Sequence, residues 1–273
     1  MTPPSWIAIP GIRRPTSAHE LFHRIQYAHG YRTTWTPSGS YQWFSEGSAA
    51  WAEVFVWGRT SASNKLTGLF TNPDLNLWDA SYQAQPFWIF FQIRQQDMPG
   101  ENTLRSFLQR YHTLGNERTA LAQIIDENWA PNNVYGQLDT FFALFARERE
   151  IGAWRTGPTG GAYPEILGPD GANIVPAVAE TPVPLAAGAS YTVSQTVSPL
   201  GSDYYHLSFQ PGTDGHDLTV SVTVPPGGDY SPSGNTAGYS RTQAIQLAQA
   251  DALVLIISGR GAGGSYTLNA HIA

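Results

Sequence analysis

Residues 16–31 read TSAHELFHRIQYAHGY. His19 and His23 stand four positions apart, which on an α-helix separates them by about 40° around the axis and about 6 Å along it. Two neutral imidazoles so placed can hold one divalent cation and leave room for a third protein ligand and a water. Glu20 projects beside them, where a carboxylate can take a proton from such a water. The same residues have a plainer reading. Ser17 followed three positions later by Glu20 fits a capping box, which does no more than close the start of a helix. His29, ten residues after His19, is a rival third ligand. If the helix continues through Gln26, however, His29 points about 80° away from His19 and sits well beyond it along the axis. The spacing then predicts a helix-end histidine just before Gly30, favourable to the helix dipole.

A second stretch offers the third ligand. Residues 41–53 read YQWFSEGSAAWAE and place Glu46 near the opening of another helix, followed by Gly47 and small residues. HELFH together with Trp43, Glu46, Gly47, Ala49 or Ala50, Trp51 and Glu53 resembles the gluzincin metallopeptidases. The likeness is to the aminopeptidase N-like branch in particular, whose third-ligand helix reads much like WLNEGFASWME. That resemblance implies a helical zincin-like catalytic domain in which Zn2+ is held by His19, His23 and Glu46. It implies Glu20 as general base and a peptide or protein as substrate. Tyr82, in DASYQAQPFWIFF, stands in a context like the family's tyrosine-bearing segment and is expected to steady an oxyanion. Pro86 fits the first turn of a helix starting near Gln85 and would kink one begun at Tyr82.

Glu53 falls two turns beyond Glu46. It is either an outer partner of a ligating histidine or, as for most helical acids, a surface carboxylate. The metzincin pattern would use His29 as third ligand and Met98 as its Met-turn, but position 26 there carries a helix-breaking glycine and here it is Gln26. The resemblance covers residues 16–57 and extends toward residue 96. Only eighteen residues precede His19. The upstream β-subdomain of the aminopeptidases, and their specificity, are therefore not carried over, and the expected activity is endopeptidase-like.

The rest of the chain must position these residues. Apolar positions recur at helical spacing over 17–29, 46–57, 79–96, 101–114, 118–128 and 135–150. In the last segment Leu138, Phe141, Phe142, Phe145 and Ala146 form the core stripe, and Arg147 to Glu150 are expected to form a solvated tip. Residues 151–183 are rich in Gly and Pro and read as a linker. Alternating stretches then follow at 190–197, 204–211, 217–224, 252–259 and 265–272, separated by turn residues. The expected fold class is α+β and multidomain: a mainly helical zincin-like domain over 1–150, the linker, and an all-β sandwich over 184–273. The ending GGSYTLNAHI resembles that of the bacterial pre-peptidase C-terminal domain, which implies an accessory module of a secreted hydrolase.

Composition narrows the partners. The chain has 273 residues, 15 basic against 21 acidic, and a formal charge of -6. It lacks the basic stripe that tracks phosphates, so nucleic acid is not an expected partner. Charged residues are 13% of the chain and Lys65 is its one lysine, so Ser, Thr, Gln, Asn and Gly must cover the surface, as suits a secreted or periplasmic protein. Cysteine is absent, and no disulfide framework bears on the compartment. The first fifteen residues carry no apolar run of signal-peptide length, and no stretch reaches the length of a membrane span. An export signal is therefore not expected within this sequence. The sandwich is also read as a module for a cell-surface polymer, with Tyr204, Tyr205 and Tyr230 as surface aromatics for glycan or, more ordinarily, as packing residues. The alternative to a peptidase is a catalytically inactive, secreted, zinc-containing binding protein.

Overall fold

The structure is a computed structural model, and it describes residues 14–31, 42–58, 60–95, 103–129, 138–151, 178–213, 215–224, 239–246, 252–259 and 263–273. Met98, Tyr230 and most of the expected linker lie outside these residues. Among the described residues seven α-helices come first: α1 (Arg14–Ala28), α2 (Gln42–Trp57), α3 (Ser63–Thr71), α4 (Gln85–Gln95), α5 (Thr103–Leu114), α6 (Glu117–Trp129) and α7 (Leu138–Ile151). Seven strands follow: β1 (Thr181–Leu185), β2 (Ser190–Val197), β3 (Ser202–Phe209), β4 (Asp217–Val224), β5 (Tyr239–Gln246), β6 (Ala252–Ser258) and β7 (Gly264–Ile272). The α+β order expected from periodicity is what the chain adopts.

Helix α1 begins at Arg14 with Pro15 in its first turn, where the missing N–H is no loss. Ser17 is thus already inside the helix, and the capping-box reading of Ser17 and Glu20 is corrected. At the other end Tyr31 N–H donates to Gln26 O at 3.0 Å and Gly30 N–H to Tyr27 O at 2.9 Å. This paired closure is a Schellman motif, with Gly30 at φ +80° in the left-handed position. His29 is therefore the helix cap, as the unbroken helix through Gln26 predicted.

The helices pack around an aromatic core built from Trp43, Phe44, Phe87, Trp88, Phe91, Phe107, Phe141 and Phe145. Trp43 stacks on Trp88 with ring centroids 5.4 Å apart, and Trp88 Nε1 donates to Trp43 O at 2.8 Å. Gly47 lets α2 approach closely, since a Cβ there would lie 2.8 Å from Ala84 Cβ and 3.0 Å from Trp88. Tyr82 opens a short 3₁₀ turn, Tyr82–Ala84, and α4 starts only at Gln85, so Pro86 sits in a first turn as its chemistry requires.

The strands form two sheets, ordered β1-β3-β6 and β2-β7-β4-β5, with β1 parallel to β3 and all other pairs antiparallel. Between them lie Val183, Leu185, Tyr205, Leu207, Leu218, Leu268 and Ile272. β1 was not expected: TPVPL carries two prolines, which a strand tolerates at a sheet edge, and among the described residues β1 pairs with β3 alone. β5 was also not expected. Adjacent residues on β3 serve different cores, as the two-residue pleat demands: Tyr205 faces the opposite sheet, while Tyr204 faces the helices. Both tyrosines are buried, which corrects their reading as surface aromatics for glycan.

The helical and β parts are joined directly. Tyr204 Oη donates to Ala146 O at 2.7 Å, Ser202 N–H to Pro73 O at 2.9 Å, and Ser198 N–H to Asp74 Oδ1 at 2.6 Å. Arg149, expected on a solvated tip, is instead 1% exposed. Its guanidinium lies 4.7 Å from the Phe145 ring centroid and 5.6 Å from that of Tyr204, and Nη1 donates to Leu69 O at 2.5 Å. The planar, weakly hydrated guanidinium tolerates such aromatic surroundings where an ammonium would not.

Candidate metal centre

Helices α1 and α2 lie against each other and bring His19, His23 and Glu46 together. His19 Nε2 is 3.1 Å from Glu46 Oε2 and 3.1 Å from His23 Nε2, and His23 Nε2 is 3.6 Å from Glu46 Oε2. A tetrahedral cation with bonds of about 2.0–2.1 Å sets its ligand atoms about 3.3–3.4 Å apart, so the triangle has the size that zinc asks for. Two imidazoles and one carboxylate are also the right donor set for that ion. The residues fit the metal.

Electrostatics point the same way. Burial disfavours charge on Glu46, but hydrogen bonds from His19 and His23 and the His23 charge outweigh it and hold the carboxyl well below its ordinary range. Burial opposes protonation of His19 and His23 as well, yet their contacts with Glu46 raise both above the usual imidazole value. The centre of the triangle favours positive charge.

Behind His19 lies Glu53, fully buried on α2. Its Oε1 is 3.1 Å from His19 Nδ1, in an oblique contact rather than a straight hydrogen bond. Lys65 Nζ reaches the same oxygen at 2.6 Å, while Ser61 N–H at 2.6 Å and Thr60 Oγ1 at 3.1 Å donate to Oε2. Burial pushes the Glu53 carboxyl up, but these partners, His19 first and then Lys65, bring it down to about 2. Of the two sequence readings of Glu53, the surface carboxylate is corrected: the side chain is buried against His19. His23 Nδ1 meets Gln26 Oε1 at 2.8 Å, so both rings have a second contact behind them.

Tyr82 borders the triangle. Its ring centroid is 5.6 Å from that of His19, and Lys65 Nζ lies 4.7 Å over its ring. Burial, with the charges of Glu46 and Glu20, pushes the phenol up to about 12, so it remains a donor at any physiological pH. Glu20 is exposed on α1 beside His19. His29 stands apart from the triangle, as its helix-end position requires.

Sequence reasoning missed Lys65, Ser61, Thr60 and the role of Gln26. The one lysine of a chain so poor in charge was a signal for the first. The spacing of Gln26, one turn after His23, was a signal for the last.

No protein-family model and no curated protein matches this chain. Among solved structures it is similar to a periplasmic lysozyme inhibitor of g-type lysozyme from Aeromonas hydrophila, at 13% identity over 35% of this chain and 100% of that one, with a TM-score of 0.21. It is also similar to the pre-peptidase C-terminal domain of a collagenase from Bacillus anthracis, at 11% identity over 35% of this chain and 86% of that one, with a TM-score of 0.12.

Proposed function

We propose that the chain is a zinc-dependent peptidase of gluzincin type, with His19, His23 and Glu46 as the metal ligands. The observation that carries the reading is the triangle of His19 Nε2, His23 Nε2 and Glu46 Oε2, with edges of 3.1, 3.1 and 3.6 Å. When bound, zinc supplies Lewis acidity toward a carbonyl and lowers the pKa of water toward neutrality. Glu20, exposed next to His19, takes the proton released as water adds to the peptide carbon and delivers it to the leaving amine. Tyr82, its ring 5.6 Å from that of His19, offers its hydroxyl to the oxygen that gains charge. Glu53 and Lys65 hold His19 in place from behind.

The expected compartment, secreted or periplasmic, and a cell-surface polymer as partner of the β part belong to this proposal on composition. Among the described residues no helix is long and apolar enough to cross a membrane.

Metal content by plasma mass spectrometry tests the site on wild type and Glu46→Ala together. About one zinc per chain, lost with Glu46, supports it; no zinc after reconstitution removes it. Peptide-library cleavage then tests the chemistry and must vanish in Glu20→Ala while zinc stays bound. A second reading, an inactive zinc-containing binding protein, draws on the fact that the three ligands bridge α1 and α2, where a cation is also a staple. Cleavage that depends on Glu20 removes that reading.

A further inference from the structure

We infer that Gln26 is a positioning residue: it fixes which nitrogen of His23 carries the proton and ties that ring to the helix bearing Glu46. The inference rests on the reading of His19, His23 and Glu46 as a cation site.

Gln26 lies on α1 one turn after His23 and is fully buried. The direction of its amide follows from its neighbours. Nε2 is 3.0 Å from Ser45 O, a carbonyl that can only accept. It is also 2.9 Å from Ser48 Oγ, whose own hydrogen goes to Phe44 O at 2.6 Å, so that this hydroxyl accepts as well. Two acceptors thus claim the two N–H groups of one amide. A flipped amide would set its oxygen against both of these oxygens, lone pair facing lone pair, with no hydrogen between them.

With Nε2 facing α2, Oε1 faces His23 Nδ1 at 2.8 Å. An amide oxygen only accepts, so Nδ1 of His23 must carry the hydrogen. In a neutral imidazole Nε2 is then the lone-pair nitrogen, and Nε2 is the atom that stands 3.1 Å from His19 Nε2 and 3.6 Å from Glu46 Oε2. The chain of acceptors sets the tautomer a cation needs before any cation arrives.

The same amide has a mechanical consequence. Ser45 directly precedes Glu46, so one side chain joins the ring of one ligand to the backbone beside another. A glycine at position 26 would remove both contacts.

The test uses the full chain as wild type, Gln26→Met and Glu46→Ala. The tautomer of His23 is read from long-range ¹⁵N–¹H correlation in metal-free protein at a pH where the ring is neutral. Zinc affinity is read by competition with a chromophoric chelator. In wild type His23 is expected to show the Nδ1–H form. In Gln26→Met that preference is expected to be lost and zinc affinity to fall about 10–100-fold, the usual effect of losing an outer partner of a ligating histidine. An Nε2–H tautomer in wild type overturns the proposal, and this measurement stands even if Gln26→Met does not fold. Zinc bound by wild type, lost in Glu46→Ala and unweakened in folded Gln26→Met overturns the positioning role alone. A wild type that binds no zinc yet holds the Nδ1–H form overturns the metal site, while Gln26's hold on His23 is upheld.

Discussion

Lys65 Nζ lies 2.6 Å from Glu53 Oε1, both side chains closed off from solvent, and this pair stands directly behind His19. The one lysine of the chain is thus an interior residue. Its place on α3 brings a helix that sequence periodicity did not show into contact with the site.

Removing one member of a buried pair leaves the other charged and unpaired, at a cost of about 3–5 kcal/mol. Lys65→Met should lower stability by that order in urea unfolding. Lys65→Met combined with Glu53→Gln should recover part of the loss. An unchanged midpoint in the single variant would falsify the pairing.

On the proposed reading zinc binds the native triangle and not the unfolded chain, and so stabilises the fold by mass action. At free zinc one hundred times the dissociation constant the gain is about 2.7 kcal/mol. Thermal melts of the metal-free protein should therefore rise on adding zinc, and those of Glu46→Ala should not.

Gly47 has no room for a methyl group, because Ala84 Cβ and Trp88 crowd the position. Gly47→Ala should cost about 1–3 kcal/mol by overpacking. The turn it displaces carries Tyr82, so the melt should drop and Tyr82 signals should shift together in NMR spectra. A melt equal to wild type would show that the helices part at no cost.

Glu117, at the first position of α6, is 3% exposed, and burial pushes its carboxyl up from 4.5 to about 7. Between these values the folded protein keeps a proton that the unfolded chain has released. Stability then falls as pH rises across that window and levels off above it, by about 1.4 kcal/mol for each unit of difference. Glu117→Gln should lack this ramp. Denaturant melts of both proteins from pH 4 to 8 check it, and parallel curves would rule it out.

Tyr204 Oη donates to Ala146 O across the junction between α7 and β3. Tyr204→Phe keeps the ring beside Arg149 and removes that bond, at a cost of about 0.5–1.5 kcal/mol. Denaturant unfolding followed by tryptophan fluorescence measures it. Every tryptophan precedes residue 155, so a shift in that signal reports transmission from the β part into the helices.

The sequence by itself determined the order of helices before strands, because apolar spacing reports local period directly. The meeting of Glu46 with His19 and His23 was expected only through the resemblance of the two stretches to a known family, because local spacing does not relate two separate helices. Pro86 and Gly30 marked a helix start and a helix end, since their backbone chemistry acts on the nearest residues only. Elements held by their neighbours were hidden: α3 is short, β1 contains two prolines, and β5 is rich in polar residues. Only the tertiary structure decided which charges are inside. Arg149 is buried against Leu69 and Tyr204, far along the chain, and Glu53 and Lys65 are closed in against each other beside His19 and Tyr82. Whether a charged side chain meets water or a partner depends on what folds over it, and no local pattern records that.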